Sequence, residues 1–307
     1  MTAPVSVVIP AYGHAAYVLA SVESALSQTP PPREVIVIDD SSPDDTAARL
    51  APLVRDKRIR YVHQPNAGMA AARNAGAKLA TSEYLYFLDD DDLMFPNALG
   101  WLVEELERYP TAALAYGESV VFSVEVPPPP DTWSETWEAD PRAFMVFNQV
   151  GCPGQALIRR NAFVEVGGFD ARIWGTDDWD LWLRLLARYP ARAAGRPVLA
   201  YRLHADNASR NVARMYESSL KVAKRHLPNF SSPTLLRFGS YRHLRIYHAP
   251  RLEAMFRRSA QRGEWQLVAA AARAWMLAWG HDAFASAALK ANLVRRGRWR
   301  LAPGEPL

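Results

Sequence analysis

The sequence contains a single cysteine, Cys152, among 307 residues. One thiol excludes an internal disulfide, and we therefore expect a protein of a reducing compartment. Long uncharged apolar runs are also lacking. The most apolar late stretch, WQLVAAAARAWMLAWG, has 16 residues and includes Arg273, whereas a membrane-spanning helix needs about 20 apolar residues. This stretch does not predict a membrane span.

A secretory signal is lacking as well. The first residues, MTAPVSVVIPAYG, have neither the basic segment nor the long apolar segment of a signal peptide. Together with the single cysteine, this absence leads us to expect a cytoplasmic protein, either free or held at the inner face of the membrane.

Acidic and basic residues are concentrated in different parts of the chain. Residues 221–307 contain 16 Lys and Arg against 4 Asp and Glu, a net charge of +12, whereas residues 1–220 contain 20 against 28, a net charge of −8. The acidic part is suited to a cation and the basic part to an anionic surface. For the basic part, packing on the rest of the protein, association with anionic lipid headgroups and an oligomer interface remain alternatives. Nucleic-acid binding is not expected, because no recognised motif accompanies the charge.

Apolar runs rich in β-branched residues alternate with segments of helical periodicity over the first 110 residues. This alternation predicts an α/β fold with a mostly parallel sheet covered by helices on both faces. Further on, the sequence predicts one or two strands in 113–126, a loop rich in Pro and Trp in 127–141, and basic helices from about 211. The first predicted strands are 5–12, 34–40, 59–64 and 83–88, and the helices are 15–28, 44–55, 67–80 and 97–109.

Two groups of aspartates follow predicted strands. Asp39 and Asp40 end one strand, and the consecutive Asp89–Asp92 end another in YLYFLDDDDLMFP. In open parallel sheets, ligands bind beyond the carboxyl ends of the strands. Mg²⁺ and Mn²⁺ prefer oxygen ligands, and a cation would offset the repulsion among these carboxylates. From the residues alone, a solvated acidic turn or a helix N-terminus is an equal alternative.

Six motifs, in order, resemble the family 2 glycosyltransferases, which are inverting enzymes of the GT-A fold. The resemblance covers about residues 4–210. It implies a Rossmann-like nucleotide-sugar-binding half in 1–110 and an acceptor half with the catalytic base in 111–215, followed by a basic helical region in 216–307. The motifs are VSVVIPAYGHAAYVLASVESALSQT, EVIVIDDSSPDDT, NAGMAAARNAGAKLATSEYLYFLDDDDLMFP, VGGFD, TDDWDLWLRL and YRLHADNAS.

The resemblance implies a nucleotide site in the first half of the chain. Asp40 would accept a hydrogen bond from the uracil N3–H of a UDP-sugar, although capping of the next helix is an alternative for the Asp39–Asp40 pair. Arg73 resembles the family's basic residue near the nucleotide, with a solvated position on a helix face as its alternative. The full nucleotide-binding set is Pro10, Ala11, Tyr12, Asp40, Gly68, Arg73, Asp89 and Asp90.

LDDDDLMFP matches the family's Asp-x-Asp motif, which implies that Asp91 binds Mn²⁺ or Mg²⁺ and that Asp89 lies near the ribose or the metal. Asp92 would support the loop or cap the next helix. Asp90 occupies the variable position, so we expect it to tolerate substitution best. His204, in YRLHADNAS, resembles a histidine that reaches the metal or the pyrophosphate, and a structural or exposed histidine is its alternative.

TDDWDLWLRL resembles the helix that carries the family's catalytic base. Asp178 stands six residues before Arg184, as that base does, and Asp177 is the second candidate. We expect Asp180 to face solvent or to make a structural contact. Attraction of all three carboxylates to the helix dipole is the alternative. Cys152 is expected to be a packing residue.

The resemblance therefore implies metal-dependent transfer of a sugar from a UDP-sugar to a hydroxyl of a glycan or glycolipid, by one displacement with inversion. Asp178 would remove the proton of the acceptor hydroxyl. A non-catalytic nucleotide-sugar or glycan-binding protein on the same fold is the competing hypothesis, and the intact TDDWDLWLR disfavours it. A nucleotidyltransferase is not favoured, because PAYGHAAY lacks a glycine-rich basic loop.

Overall fold

The structure is a computed structural model, and it describes residues 2–128, 135–229 and 262. Strands and helices alternate over its first half, as the sequence predicts. The elements in chain order are β1 (Ala3–Ala11), α1 (Val18–Leu26), β2 (Pro32–Asp39), α2 (Thr46–Arg55), β3 (Arg60–His63), α3 (Met69–Leu79), β4 (Tyr84–Phe87), β5 (Leu93–Met94), α4 (Ala98–Arg108), β6 (Leu114–Phe122), β7 (Trp137–Glu138), α5 (Pro141–Val146), β8 (Ala156–Arg159), α6 (Arg160–Glu165), α7 (Asp177–Leu186), β9 (Ala191–Arg202) and α8 (Val212–His226).

The described strands form one nine-stranded sheet in the order β3-β2-β1-β4-β8-β6-β9-β5, with β7 paired to β9. The pairs among β3, β2, β1 and β4 are parallel, as is the pair of β6 with β9. Antiparallel pairing enters through β8, β5 and β7. The predicted mostly parallel sheet is confirmed. Strands β1, β2 and β4 are mostly buried on both faces, as expected where helices cover a parallel sheet, whereas β3 at the edge is partly exposed.

The central strand β1 lies between β2 and β4: the chain adds β2 and then β3 on one side of β1, and the next crossover places β4 on the other side. Such a reversal of strand order opens a crevice at the carboxyl ends of the strands. Both aspartate groups of the sequence follow strands that flank β1, because Asp39 ends β2 and the Asp89–Asp92 run follows β4. The topology therefore brings the two groups to the same edge of the sheet.

Helix α3 packs closely against β1 through Gly76. A Cβ at this position would lie 2.3 Å from Cγ1 of Val8 and 3.3 Å from Cγ1 of Ile38. Glycine thus allows the helix to approach the two central strands. This contact fixes α3, and with it the arginine that α3 carries towards the crevice.

Several predictions for the second half differ from the structure in detail. The strand predicted in 113–126 is β6, but β8 and β9 are not among the predicted elements. The loop predicted in 127–141 contains the short strand β7, while its residues 129–134 lie outside the described part. The first of the predicted basic helices is α8, and the helices predicted after it lie outside the described residues.

The chain divides into two compact units. The described part of the first comprises residues 2–128, 135–139, 150–172 and 177–207 and holds the sheet. The described part of the second comprises 140–149, 173–176, 208–229 and 262, including α5 and α8. The predicted boundary between 1–215 and 216–307 stays a prediction. Among the described residues, we find no helix with the length and apolar character needed to cross a membrane.

Candidate active site

The four aspartates Asp89–Asp92, here called the acidic turn, connect β4 to β5. The turn is closed by a hydrogen bond from the Asp92 amide to the Asp89 carbonyl at 3.2 Å. Its side chains do not share one environment, because each carboxylate meets a different partner. This separation reduces the mutual repulsion that four adjacent charges would otherwise produce.

Asp89 is neutralised by an arginine from α3. Nη2 of Arg73 lies 2.6 Å from Oδ1 of Asp89, and Nη1 of the same guanidinium lies 3.0 Å from Oδ2 of Asp177 at the start of α7. The guanidinium also lies over the ring of Phe169, 5.3 Å from its centroid. Arg73 is 3% exposed, so the alternative of a solvated arginine on a helix face is wrong. It links the acidic turn to α7.

The charges of this buried trio depend on one another. Burial opposes the charge of Arg73, but Asp89 and Asp177 outweigh burial and raise the pKa of its guanidinium. Burial also raises the pKa of Asp177, an effect that Arg73 reduces. Asp177 is therefore engaged in an ion pair, which disfavours it as the base relative to Asp178.

Asp90 joins the acidic turn to the loop after β1. Its Oδ2 accepts a hydrogen bond from the Tyr12 amide at 2.9 Å, and its Oδ1 accepts one from Nδ1 of His14 at 2.8 Å. The hydrogen bond that His14 donates to Asp90 is the main factor that raises the pKa of His14 to about 9. Burial raises the pKa of Asp90 to about 6, against the effect of His14. Asp90 thus has two specific contacts, which argues against the expectation that it tolerates substitution best.

Asp91 faces two histidines. Its Oδ2 accepts a hydrogen bond from Nε2 of His204 at 2.7 Å, and one ligand atom from each of His14, Asp91 and His204 lies within 4.8 Å of the others. The rings of His14 and His204 meet edge to face, with centroids 5.2 Å apart. These three residues could hold one metal ion, which would displace the proton shared by His204 and Asp91. Asp89, the other residue assigned to the metal, is instead paired with Arg73.

Asp92 faces the opposite side of the turn, towards β9. Its Oδ1 accepts a hydrogen bond from the Arg202 amide at 2.8 Å, while its buried Oδ2 has no partner within the described residues. Burial, reinforced by the charges of Asp91 and Asp89, raises the pKa of Asp92 well above its ordinary value. Its environment favours the uncharged form, and its hydrogen bond with the Arg202 amide joins the turn to β9.

Arg202 lies beside the acidic turn and is held from three directions. Its Nε donates to the Asp91 carbonyl at 2.8 Å, and its guanidinium lies 4.7 Å from the ring centroid of Tyr17 and 4.5 Å from that of Phe122. A cation held by aromatic faces beside a cluster of acids is suited to an anionic ligand. Sequence reasoning missed Arg202, although it belongs to the YRLHADNAS motif.

Asp40 fixes the loop that leads into α3. Its Oδ1 accepts hydrogen bonds from Nε2 of Gln64 and the Ala67 amide at 2.7 and 2.9 Å, and its Oδ2 accepts one from the Gly68 amide at 2.7 Å. An ionised carboxylate has about four acceptor positions, so one acceptor position remains for a ligand donor. Gly68 begins α3 with φ of 87°, a conformation that favours glycine.

The carboxylate of the neighbouring Asp39 is held by hydrogen bonds from within the protein. Its carboxylate accepts hydrogen bonds from the Ser42 amide at 2.8 Å and from the Tyr61 hydroxyl. Burial opposes the ionisation of Asp39, yet these donors outweigh burial and lower its pKa. Of the two predicted aspartates, Asp40 is therefore the one next to the crevice loop at Gly68.

The predicted nucleoside-pocket residues follow the end of β1. Pro10 and Ala11 are buried within or at the end of the strand, whereas Tyr12 is 47% exposed. The Asp40 amide donates to the Ala11 carbonyl at 2.9 Å, which joins this segment to the loop after β2. The exposed ring of Tyr12 is available to cover a ligand.

Asp178 lies in the first turn of α7 and is 5% exposed. Its Oδ1 accepts a hydrogen bond from the Trp179 amide at 2.7 Å, and its charge contributes to the raised pKa of Arg73. Asp178 therefore lies close to the guanidinium of Arg73, which joins α7 to the acidic turn. Arg184, the arginine six residues after Asp178 in the family pattern, pairs with Asp180 at 2.8 Å and donates to the Val166 carbonyl at 2.7 Å. Asp180 makes the structural contact that was one of its two predicted roles.

Cys152 is buried, and its Sγ donates to Oε1 of Gln155 at 3.6 Å. Burial, together with nearby Asp92 and Asp89, raises the pKa of the thiol well above its ordinary value. Since the thiolate is the nucleophilic form, this environment is consistent with the predicted packing role.

Two family models match the sequence. The model of Glycosyl transferase family 2 matches residues 6–167, and that of Glycosyltransferase like family 2 matches residues 131–248. The first match covers more than half of the chain and includes the acidic turn.

Relatives with curated records support the same family. The chain is 46% identical over 106 residues to an uncharacterised glycosyltransferase of Rickettsia bellii, covering 34% of this chain and 15% of that protein. It is 28% identical over 206 residues to chondroitin synthase of Escherichia coli, covering 67% of this chain and 30% of that protein. The chain thus spans less than a third of the length of either relative.

Solved structures share the fold. S. aureus TarS 1-349 in complex with UDP-GlcNAc superposes with a TM-score of 0.65 at 14% identity, covering 100% of this chain and 98% of that one. TarS 1-349 in complex with UDP superposes with a TM-score of 0.64 at 15% identity, covering 100% and 98%. At these identities the likeness establishes a common GT-A architecture for the sheet and its flanking helices.

Proposed function

Because the chain belongs to Glycosyl transferase family 2, we propose that it transfers a sugar from a nucleotide-sugar, a UDP-sugar in particular, to a hydroxyl of a glycan or glycolipid. One observation carries this proposal: a single buried arginine, Arg73, joins the acidic turn to the first turn of α7. The residues assigned to the donor and the residue assigned to the base therefore belong to one connected arrangement.

The nucleotide would lie at the carboxyl ends of β1 and β2. Asp40 retains an acceptor position for the uracil N3–H, while Pro10, Ala11 and the exposed ring of Tyr12 line the crevice beside it. TarS 1-349 has been solved with UDP and with UDP-GlcNAc, and that fold likeness is consistent with this placement.

The diphosphate would lie near the acidic turn and Arg202. Asp91 and His204 present a carboxylate and an imidazole that could share one ion, with His14 beside them. Carboxylate oxygen suits both Mg²⁺ and Mn²⁺, and Mn²⁺ also belongs to the transition-metal series that binds imidazole. When bound, such a cation neutralises negative charge on the UDP leaving group. Arg202, fixed between Tyr17 and Phe122, supplies further positive charge from the protein itself.

Asp178 would remove the proton from the acceptor hydroxyl. General-base catalysis requires a carboxylate fixed within hydrogen-bond reach of that hydroxyl. The ion pair of the adjacent Asp177 with Arg73 holds the start of α7 in place, and with it the backbone of Asp178. The acceptor oxygen then attacks the anomeric carbon from the face opposite UDP, and the configuration inverts in one displacement.

The proposal includes the predicted organisation of the chain. Residues 1–110 would bind the nucleotide-sugar, residues 111–215 would bind the acceptor, and the basic region 216–307 would meet a membrane surface, the rest of the protein or a second copy. The acceptor would be a glycan or glycolipid, such as a polysaccharide or a component of the cell envelope.

Calorimetry with UDP in the presence and absence of Mn²⁺ tests the donor half of this proposal. We expect UDP to bind only weakly without Mn²⁺ and at least tenfold more tightly with it, and we expect Asp91→Asn to abolish that difference. Asp44→Asn is the matched control, because Asp44 lies near the same crevice loop but outside the proposed site. Equal UDP affinity of wild type with and without Mn²⁺ would contradict metal-assisted donor binding.

A further inference from the structure

The acidic turn and the loop after β1 together suggest a ligand set different from the one that the sequence indicates. We propose that His14 is a third ligand of the cation, that Asp90 is the positioning residue for its ring, and that this arrangement makes the site prefer Mn²⁺ to Mg²⁺. The inference rests on the proposed function, since it concerns the same cation site. Its starting observation is that ligand atoms of His14, Asp91 and His204 lie within 4.8 Å of one another.

The ring of His14 has the orientation of a metal ligand. Its Nδ1 donates to Oδ1 of Asp90 at 2.8 Å, so Nε2 is the nitrogen left to bind a cation. Histidines that bind metals usually donate their other ring N–H to a carboxylate or carbonyl, which fixes the tautomer and the direction of the ring. Asp90 supplies this contact to His14.

Asp90 is itself held in place. Its second oxygen, Oδ2, accepts a hydrogen bond from the Tyr12 amide at 2.9 Å, and its side chain is 7% exposed. The carboxylate cannot rotate without losing one of these hydrogen bonds. Its position between the acidic turn and the loop after β1 therefore determines where the imidazole points.

The backbone around His14 is also fixed. The Gly13 amide donates to Oγ of Ser42 at 3.3 Å, and the Ala15 amide donates to Oδ2 of Asp44 at 2.8 Å. The His14 carbonyl accepts hydrogen bonds from the amides of Tyr17 and Val18 at 2.9 and 3.0 Å. A cation would thus meet a ligand whose backbone and side chain are already ordered, which lowers the entropic cost of binding.

The chemistry of this donor set determines which cation it favours. Mg²⁺ strongly prefers oxygen ligands in near-ideal octahedral geometry, while Mn²⁺, which also takes carboxylate oxygens, belongs to the divalent transition-metal series that binds imidazole. A site with two imidazoles and one carboxylate has more nitrogen than oxygen among its protein donors. We therefore expect Mn²⁺ to bind more tightly than Mg²⁺, and His14 to supply a large part of the difference.

Pulsed electron paramagnetic resonance of Mn²⁺ bound to the full chain with UDP counts the nitrogen ligands directly. We expect signals from two imidazole nitrogens in wild type, one in His14→Gln and one in His204→Asn. In Asp90→Asn the amide oxygen can keep the hydrogen bond from Tyr12, and the amide N–H then faces Nδ1 of His14. The ring proton must move to Nε2, so this variant should also show one nitrogen.

Affinity measurements provide the second test. Loss of a residue that orients a metal ligand usually costs about 10–100-fold in metal affinity, so we expect His14→Gln and Asp90→Asn to weaken Mn²⁺ binding by that factor. Mg²⁺ affinity should change by less than about threefold, so the ratio of Mn²⁺ affinity to Mg²⁺ affinity should fall in both variants. Asp45→Asn is the matched control for Asp90→Asn, because it makes the same change at an exposed aspartate whose side chain makes no capping hydrogen bond. It should keep two nitrogens and wild-type affinities.

The outcomes separate the inference from the proposed function. If wild type binds Mn²⁺ with one nitrogen that His204→Asn removes and His14→Gln leaves unchanged, His14 is not a ligand, yet the cation site of the proposed function stands. If wild type with UDP binds no Mn²⁺, the proposed metal dependence and this inference both fail. Should Asp90→Asn not fold, as judged by circular dichroism, the comparison of wild type with His14→Gln decides whether His14 is a ligand.

Discussion

Asp89 and Asp177 accept hydrogen bonds from one guanidinium: Nη2 of Arg73 lies 2.6 Å from Asp89 and Nη1 lies 3.0 Å from Asp177. Asp89 belongs to the acidic turn and Asp177 to the first turn of α7. Within the part of the chain that the structure describes, Arg73 is the only cation that forms an ion pair with either of these two carboxylates. This arrangement makes Arg73 a structural link between the two halves of the proposed site.

Arg73→Ala should reduce stability substantially, because two buried carboxylates would lose their common cation. Removal of one partner from a buried ion pair typically costs about 3–5 kcal/mol, which urea denaturation would measure. Arg188→Ala is the control, since its pair with Glu165 is 54% exposed on both sides and should contribute less than about 1 kcal/mol. Wild-type stability of Arg73→Ala combined with lost UDP binding would show that Arg73 serves the nucleotide instead.

Asp178→Asn should strongly reduce turnover and leave donor binding intact, because the amide cannot accept the proton of the acceptor hydroxyl. General-base catalysis contributes about 10²–10⁴-fold to rate, and we expect a loss in that range when UDP release from UDP-sugars is followed with an acceptor present. UDP affinity with Mn²⁺ should stay within about threefold of wild type.

Asp177→Asn provides the comparison for Asp178→Asn. It weakens the ion pair with Arg73 at 3.0 Å, so we expect lower stability as its first effect. If Asp177→Asn instead loses turnover at full stability, and Asp178→Asn keeps turnover, the assignment of the base is reversed.

Asp40→Asn should weaken recognition of the base. A hydrogen bond to a charged group contributes about 1.5–3 kcal/mol, which corresponds to roughly a tenfold to hundredfold loss of UDP affinity. CDP, which has no N–H at the N3 position, should lose much less. Calorimetry with UDP and CDP in the presence of Mn²⁺ measures both, and an equal loss for the two nucleotides would indicate that Asp40 acts only by holding the loop at Ala67 and Gly68.

Gly76→Ala should destabilise the fold, because its Cβ would lie 2.3 Å from Cγ1 of Val8. Overpacking of this kind costs about 1–3 kcal/mol. Gly100→Ala in α4 is the matched substitution: its nearest neighbour beyond the helix lies 3.4 Å away, and replacing a helical glycine with alanine stabilises by about 0.5–1 kcal/mol. The double variant Gly76→Ala with Val8→Ala should recover part of the loss. Equal unfolding midpoints for the two glycine variants would contradict the close approach of α3 to β1.

The stability of the sheet should depend on pH through Glu34. Partial burial opposes its ionisation, but hydrogen bonds from Ser6 and Thr81 outweigh burial and lower its pKa. A group whose pKa is lower in the folded state stabilises the protein above its unfolded pKa of about 4.3, and that contribution disappears as pH falls through the folded pKa. Glu34→Gln should therefore be less stable than wild type at pH 7 and indistinguishable from it at about pH 2. A constant difference between the two pH values would rule out this linkage.

The local pattern of the sequence predicts the first four strands and four helices because each is an uninterrupted apolar run or an amphipathic segment. Strands β5 and β7, with two residues each, carry no such pattern. The long strand β9 was missed because its sequence, ARAAGRPVLAYR, has little alternation. Its place in the sheet is set by pairing with β6, to which no local signal points.

The partners of the site residues were less predictable than the elements that carry them. Asp90 occupies a variable position of its motif, yet it contacts His14, which lies 76 residues away. Arg184 was counted from Asp178 in the sequence, but residues four apart face each other on a helix, and Arg184 accordingly pairs with Asp180. The contact between Asp90 and His14 depends on the folded topology, whereas the pairing of Arg184 with Asp180 could have been deduced from helix geometry.

Cys152 gives the protein a practical advantage for labelling. It is the only thiol of the chain, and its burial and raised pKa keep it in a form that reacts slowly with maleimides and iodoacetamides. A cysteine placed on the surface, for example by Arg55→Cys at a side chain that is 78% exposed, would be the fastest-reacting site. Fluorophores or spin labels can therefore be attached at chosen positions without first replacing the native residue.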